Sequence, residues 1–156
     1  MAAVVNLKTA GPAKLSDYSR RVYRLGLYAY GHEFYEIARK ARRSPVKSYL
    51  LGHALELYLK SFLMKQGCGI QELKKRKYGH NISNLLSESV KRAFESHFRI
   101  SPQLQTDIDA FSSSYAAKDF EYFPFFVWML GRSLPETKRL FAFARRLDDR
   151  LPGIIG

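Results

Sequence analysis

The chain has 156 residues, 46% of them hydrophobic, with 26 Lys and Arg against 14 Asp and Glu and a formal net charge of +12. That length fits one domain with a sizeable core, and that apolar content excludes global disorder. The charge points to an acidic partner, most often nucleic acid, or serves only to keep an aromatic-rich chain in solution. Cys68 is the single cysteine, which excludes an internal disulfide and a Cys-based zinc cluster and fits a reducing cytoplasm. The first residues hold no apolar run of signal-peptide length, and no segment reads as a membrane span. A cytoplasmic protein without cofactor or metal is expected.

Residues 1–14 read as a loose arm broken by Gly11 and Pro12. Ser16 or Asp17 can cap a first helix running to about Arg43. Tyr23, Leu27, Tyr30, Phe34, Ile37 and Ala41 recur at intervals of 4, 3, 4, 3 and 4, which predicts its core face and suits packing along another long helix, in the chain or in a second copy. Gly26 and Gly31 lower its helix propensity, and a close helix contact is one reason to keep them. Ser44 and Pro45 end this helix and start the next. From Val46 to Gln66 apolar residues cover nearly the whole circumference, the pattern of a buried central helix, with Gly67 as its stop.

The linker that follows holds a short turn near Ile70 and then four consecutive cations, Lys74 to Lys77. Asn81 or Ser83 caps a third helix, with Ile82, Leu85, Leu86, Val90, Ala93 and Phe94 inward. Ser101 and Pro102 start a fourth, through Leu104, Ile108, Phe111 and Tyr115. The segment from Lys118 to Phe126, interrupted by Pro124, reads as an irregular crossing, and the aromatics from Phe120 to Trp128 read more as packing than as a base platform. Ser133 to Glu136 has capping-box spacing before a last helix to about Arg150, with Leu140, Phe143, Ala144 and Leu147 inward and two adjacent basic rows outward. Residues 151–156 form a short tail. No strand alternation is present, so the class is all-α, one domain over residues 15–150.

Two stretches carry candidate chemistry. His53, Glu56 and Lys60 line the one polar stripe of the central helix at i, i+3 and i+7. Either Lys60 meets a phosphate that Glu56 helps to orient, or Glu56 and Lys60 form an i, i+4 pair and His53 bonds a neighbouring helix. The basic turn is the second. Lys74, Lys75 and Lys77 can contact phosphates, Tyr78 can stack a base and His80 can move a proton, unless the whole is a solvated loop shaped by Gly79. His53 and Glu56 alone are a weak metal signal, and no nucleophilic triad or glycine-rich phosphate loop stands out.

The stretches Tyr49 to Leu63 and Tyr78 to Leu86 resemble the HEPN superfamily of helical domains. Ala54, Glu56, Leu59 and Lys60 match a motif of the form A-x-E-x-x-L-K, and Gly79, His80, Ile82 and Leu85 match one of the form G-H-x-L-x-x-L. The resemblance implies a bundle of four to five helices, up-and-down and dimeric. It implies a binder of nucleotide or nucleic acid, in a toxin-antitoxin or defence setting, with a nucleotidyltransferase as a possible partner. Cleaving members use an Arg and a His with four to six residues between them as a metal-independent ribonuclease site; Arg92 and His97 have four residues between them, whereas Arg76 and His80 have three, one too few. Tyr122, Phe123 and Pro124 resemble the arginine-tyrosine-proline signature of non-cleaving members without its arginine. A binding module is therefore the first expectation, with a ribonuclease at Arg92 and His97, or a helical adaptor for an acidic protein, as alternatives.

Overall fold

The computed structural model describes residues 16–122, 125, 129, 130 and 133–156. Helix α1 (Asp17–Lys40) starts where the Ser16 hydroxyl accepts the amide of Ser19. Helix α2 (Ser44–Lys65) carries Pro45 in its first turn, where a missing N–H leaves no helical bond unmade. It ends at Gly67, φ +92°, with the amides of Gly67 and Cys68 returning to the carbonyls of Met64 and Leu63. Helix α3 (Ile70–Leu73) is a single turn. Helix α4 (Ile82–Lys91) is capped by the Asn81 side chain on the Asn84 amide, and a 3-10 turn follows at Phe94–Ser96. Helix α5 (Pro102–Ala116) is capped by Ser101 on Leu104. Helix α6 (Lys138–Ile155) starts later than the capping-box spacing predicts; Glu136 instead accepts the amides of Thr137 and Lys138.

The central helix is as expected. Leu51, Ala54, Leu55, Tyr58, Leu59, Phe62 and Leu63 of α2 are fully buried, and α1, α4, α5 and α6 all pack on it. Around it Ile82, Leu85, Phe94, Ile108, Phe111, Phe143 and Leu147 close the core. Among the described residues, every buried side-chain nitrogen and oxygen has a hydrogen-bond partner. No described helix is long and apolar enough to cross a membrane.

Several expectations are corrected. The HEPN-like bundle of four to five helices gives way to six α-helices and no strand among the described residues. The additional helix is α3, the single turn within the linker, whose Leu73 is buried. The dimer is implied by the resemblance alone and is not seen in this single chain; the α1 stripe, expected as a core face, is only half covered, with Leu27 and Phe34 packed against the core. Gly31, Tyr35 and Ala38 face α2 and α6, while Tyr23, Tyr30 and Ile37 are exposed. The chain thus fills its core with its own helices. Gly31 allows this, since a Cβ there would lie 2.9 Å from the Tyr58 ring; Gly26 has no atom within 4 Å and serves no close contact. Residues 151–155 are not a tail but the last turn of α6, with Leu151 and Ile155 buried. The N-terminal arm, together with Phe123, Pro124, Phe126 and Trp128, lies outside the described residues.

Candidate functional site

Glu56 sits on the face of α2 turned toward α5 and the turn before α4, and is only 6% exposed. Three donors reach it. Lys60 Nζ bonds Oε1 at 2.5 Å, and Oε2 accepts the Tyr115 hydroxyl at 2.9 Å and His80 Nδ1 at 3.0 Å. Burial pushes the Glu56 carboxyl up, but the Lys60 charge and bond, the Tyr115 hydroxyl and the His80 charge outweigh it and hold its pKa below the ordinary value. Glu56 is therefore an ionised acceptor.

That assignment fixes the protons around it. Tyr115 has one hydroxyl proton, and it goes to Glu56; burial and the Glu56 charge push the Tyr115 pKa strongly up. His53 Nδ1 lies 3.1 Å from the same hydroxyl oxygen, so Nδ1 must donate. The neutral His53 ring then keeps Nε2 as its lone-pair nitrogen. Burial lowers the His53 pKa more than Glu56 raises it, which favours this neutral ring. His80 gives Nδ1 to Glu56 and leaves its other nitrogen on a ring that is 48% exposed.

The local sequence explains the geometry. Gly52 lets the Tyr115 ring lie against α2, because a Cβ there would stand 2.5 Å from it. His80 adopts φ 55°, a left-handed conformation that costs a non-glycine residue of order 1 kcal/mol or more. The bond to Glu56 and the turn before it hold that conformation. The Tyr78 and Gly79 amides return to the Lys75 carbonyl, and Asn84 Nδ2 donates to the Lys77 carbonyl at 2.8 Å. Lys74, Lys75, Arg76 and Lys77 are thereby displayed on the surface directly before His80, and none has a carboxylate within ion-pair distance among the described residues. Aromatic rings wall the other side: Phe34 stacks on His53 at 5.0 Å, and Tyr49 meets it edge-on at 4.5 Å.

His53, Glu56, Lys60 and His80 thus converge, and the contacts within the stripe are those of its paired reading, with Lys60 on Glu56 and His53 on Tyr115 of the neighbouring α5. Tyr78 does not join them, since it is buried, with Lys77 Nζ 4.4 Å above its ring. Arg92 and His97 are occupied elsewhere. Arg92 bonds Glu88 at 2.9 Å and the Gln66 carbonyl at 3.2 Å, tying α4 to the end of α2, while His97 packs edge-on against Phe62. Cys68 is buried, which pushes its thiol up and makes it a poor nucleophile. Among the described residues no three His, Cys, Asp or Glu side chains form a metal-holding group.

Sequence reasoning missed Tyr115 as a member of the site, though a tyrosine on a buried helix face needs a partner for its hydroxyl. It also missed a second carboxylate cluster across α2. There Asp148 Oδ1 accepts the Tyr58 hydroxyl at 2.6 Å and lies 2.7 Å from His32 Nδ1, and the Asp148 carbonyl accepts from Tyr28 at 2.9 Å. This cluster joins α1, α2 and α6. No protein-family model, curated protein or solved structure matches the chain.

Proposed function

We propose that this protein binds the phosphate of a nucleotide or nucleic acid at the surface formed by Lys60, the turn from Lys74 to Lys77, and His80. The observation that carries the reading is the turn itself: four exposed cations without carboxylate partners among the described residues, on a hydrogen-bonded backbone turn that ends at an imidazole oriented by a buried carboxylate. The net charge of +12 and the likeness of the two motif stretches to HEPN domains support it further. Changing Lys74, Lys75 and Lys77 together to Ala is expected to weaken RNA binding at least tenfold at low salt and to flatten the log–log salt dependence by roughly 2, about 0.7 per phosphate lost. Unchanged affinity would remove this site and leave an acidic protein partner as the account of the charge.

A second reading, RNA cleavage without metal, draws on one observation. The His53 and His80 rings lie 6.0 Å apart, one neutral with a free lone pair and the other backed by Glu56. Such a pair can take one proton and give another during phosphoryl transfer. Cleavage that is lost in both His53→Asn and His80→Asn would establish it; RNA that stays intact on the bound protein would dismiss it.

A further inference from the structure

The stripe of α2 that carries Glu56 continues toward the start of the helix. Val46, Tyr49, Leu50 and His53 stand at i, i+3, i+4 and i+7, and Glu56 and Lys60 follow at i+10 and i+14. None of the first four is fully buried, whereas the opposite faces of α2 are closed by the core. The stripe has an aromatic floor at its middle, where Phe34 of α1 and Tyr49 hold His53.

Its far end is a second concentration of cations. Lys40, Arg42 and Arg43, at the connection between α1 and α2, are exposed and have no carboxylate within ion-pair distance among the described residues, while Arg39 is held by Glu36 at 2.7 Å. The first turn of α2 carries no acidic residue and no side-chain cap. From Arg43 to Glu56 the helix rises about 20 Å at 1.5 Å per residue. Two basic clusters without carboxylate partners among the described residues therefore stand at either end of a stretch longer than one nucleotide, with the aromatic floor at its middle. At 3.4 Å per stacked nucleotide the span holds about six, and fewer when bases are splayed.

We infer that the ligand of this site is a single-stranded nucleic acid of about four to six nucleotides, running along α2 from the Lys74–Lys77 turn to Arg42 and Arg43, with bases on Phe34, Tyr49 and the histidine rings. The inference rests on the phosphate-binding reading above and narrows its ligand class. A free nucleotide reaches only one of the two basic ends. A duplex keeps its bases paired and cannot lay them on the rings.

The test measures affinity of the purified protein for adenosine monophosphate and for oligoadenylates of two, four, six and eight nucleotides at 50 mM salt, with the hexamer also annealed to its complement. Affinity is expected to climb at least 100-fold from monophosphate to hexamer, to flatten beyond it, and to drop on annealing. In the Arg42→Ala/Arg43→Ala double variant the hexamer-to-monophosphate ratio is expected to fall about tenfold. Tyr49→Leu, which keeps an apolar side chain, is expected to weaken the hexamer severalfold, and melting curves check that both variants fold. Monophosphate bound as tightly as hexamer would overturn the track and leave the phosphate site standing. Binding of no probe would overturn both.

Discussion

Glu56 shows how one buried charge is tolerated. Each oxygen is engaged, and three side chains from three segments supply the donors. Removing one of them leaves the rest unbalanced, so Tyr115→Phe is expected to cost about 1–3 kcal/mol of stability, measured by denaturant unfolding. The pH dependence follows from the same groups. His53 has a folded pKa below its ordinary 6.5, so the unfolded chain binds a proton that the fold refuses. Its contribution is complete above that value and falls as the pH drops toward the folded pKa. Glu56 adds a further loss once the pH falls below 4.5. The melting temperature should therefore decline from about pH 7 downward, and His53→Gln should flatten only the upper part of that decline. The alkaline side belongs to the tyrosines. Tyr28 is pushed up to about 12 by burial and Asp148, and Tyr58 is raised further for the same reasons. The fold holds these protons more tightly than the unfolded chain does, so stability is complete below pH 10 and declines above it.

At the scale of the element, the two helical glycines of closest approach decide how α2 is surrounded. Gly52 admits the Tyr115 ring and Gly31 admits the Tyr58 ring. Gly52→Ala is expected to destabilise by about 1–3 kcal/mol, and to weaken the ligand because Tyr115 must leave Glu56. Gly26→Ala is the contrasting case. Nothing lies within 4 Å of the added methyl, so the gain in helix propensity is expected to stabilise by about 0.5–1 kcal/mol in the same unfolding experiment. The last turn of α6 is equally informative. Leu151 and Ile155 are buried and Arg24 Nε donates to the Ile155 carbonyl at 2.6 Å. Ending the chain at Arg150 is expected to cost about 3–5 kcal/mol, the burial of two large aliphatic side chains.

The whole molecule is organised by α2, which separates two carboxylate clusters. The Glu56 cluster opens toward the basic turn, whereas Asp148 stitches α1, α2 and α6 together through Tyr58 and His32. Tyr58 is fully buried, so Tyr58→Phe is expected to lower global stability by about 1–2 kcal/mol without changing RNA affinity, which separates the structural cluster from the proposed ligand surface.

The sequence by itself determined the all-α class, the buried central helix and most helix starts, because these depend on local periodicity and on caps such as Ser16, Asn81 and Ser101. It also pointed to Glu56, Lys60 and the basic turn, since a charge on an apolar helix demands a partner. It misread α1. A seam of six apolar residues at heptad spacing looks like a core face, yet Gly31 and Ala38, small and inconspicuous, let the other face approach α2 more closely. Only the tertiary structure decided which long-range partners meet. Tyr115 lies 59 residues from Glu56 and Asp148 lies 90 from Tyr58. No local pattern records such pairs, because they form only when separate helices close on the same buried charge.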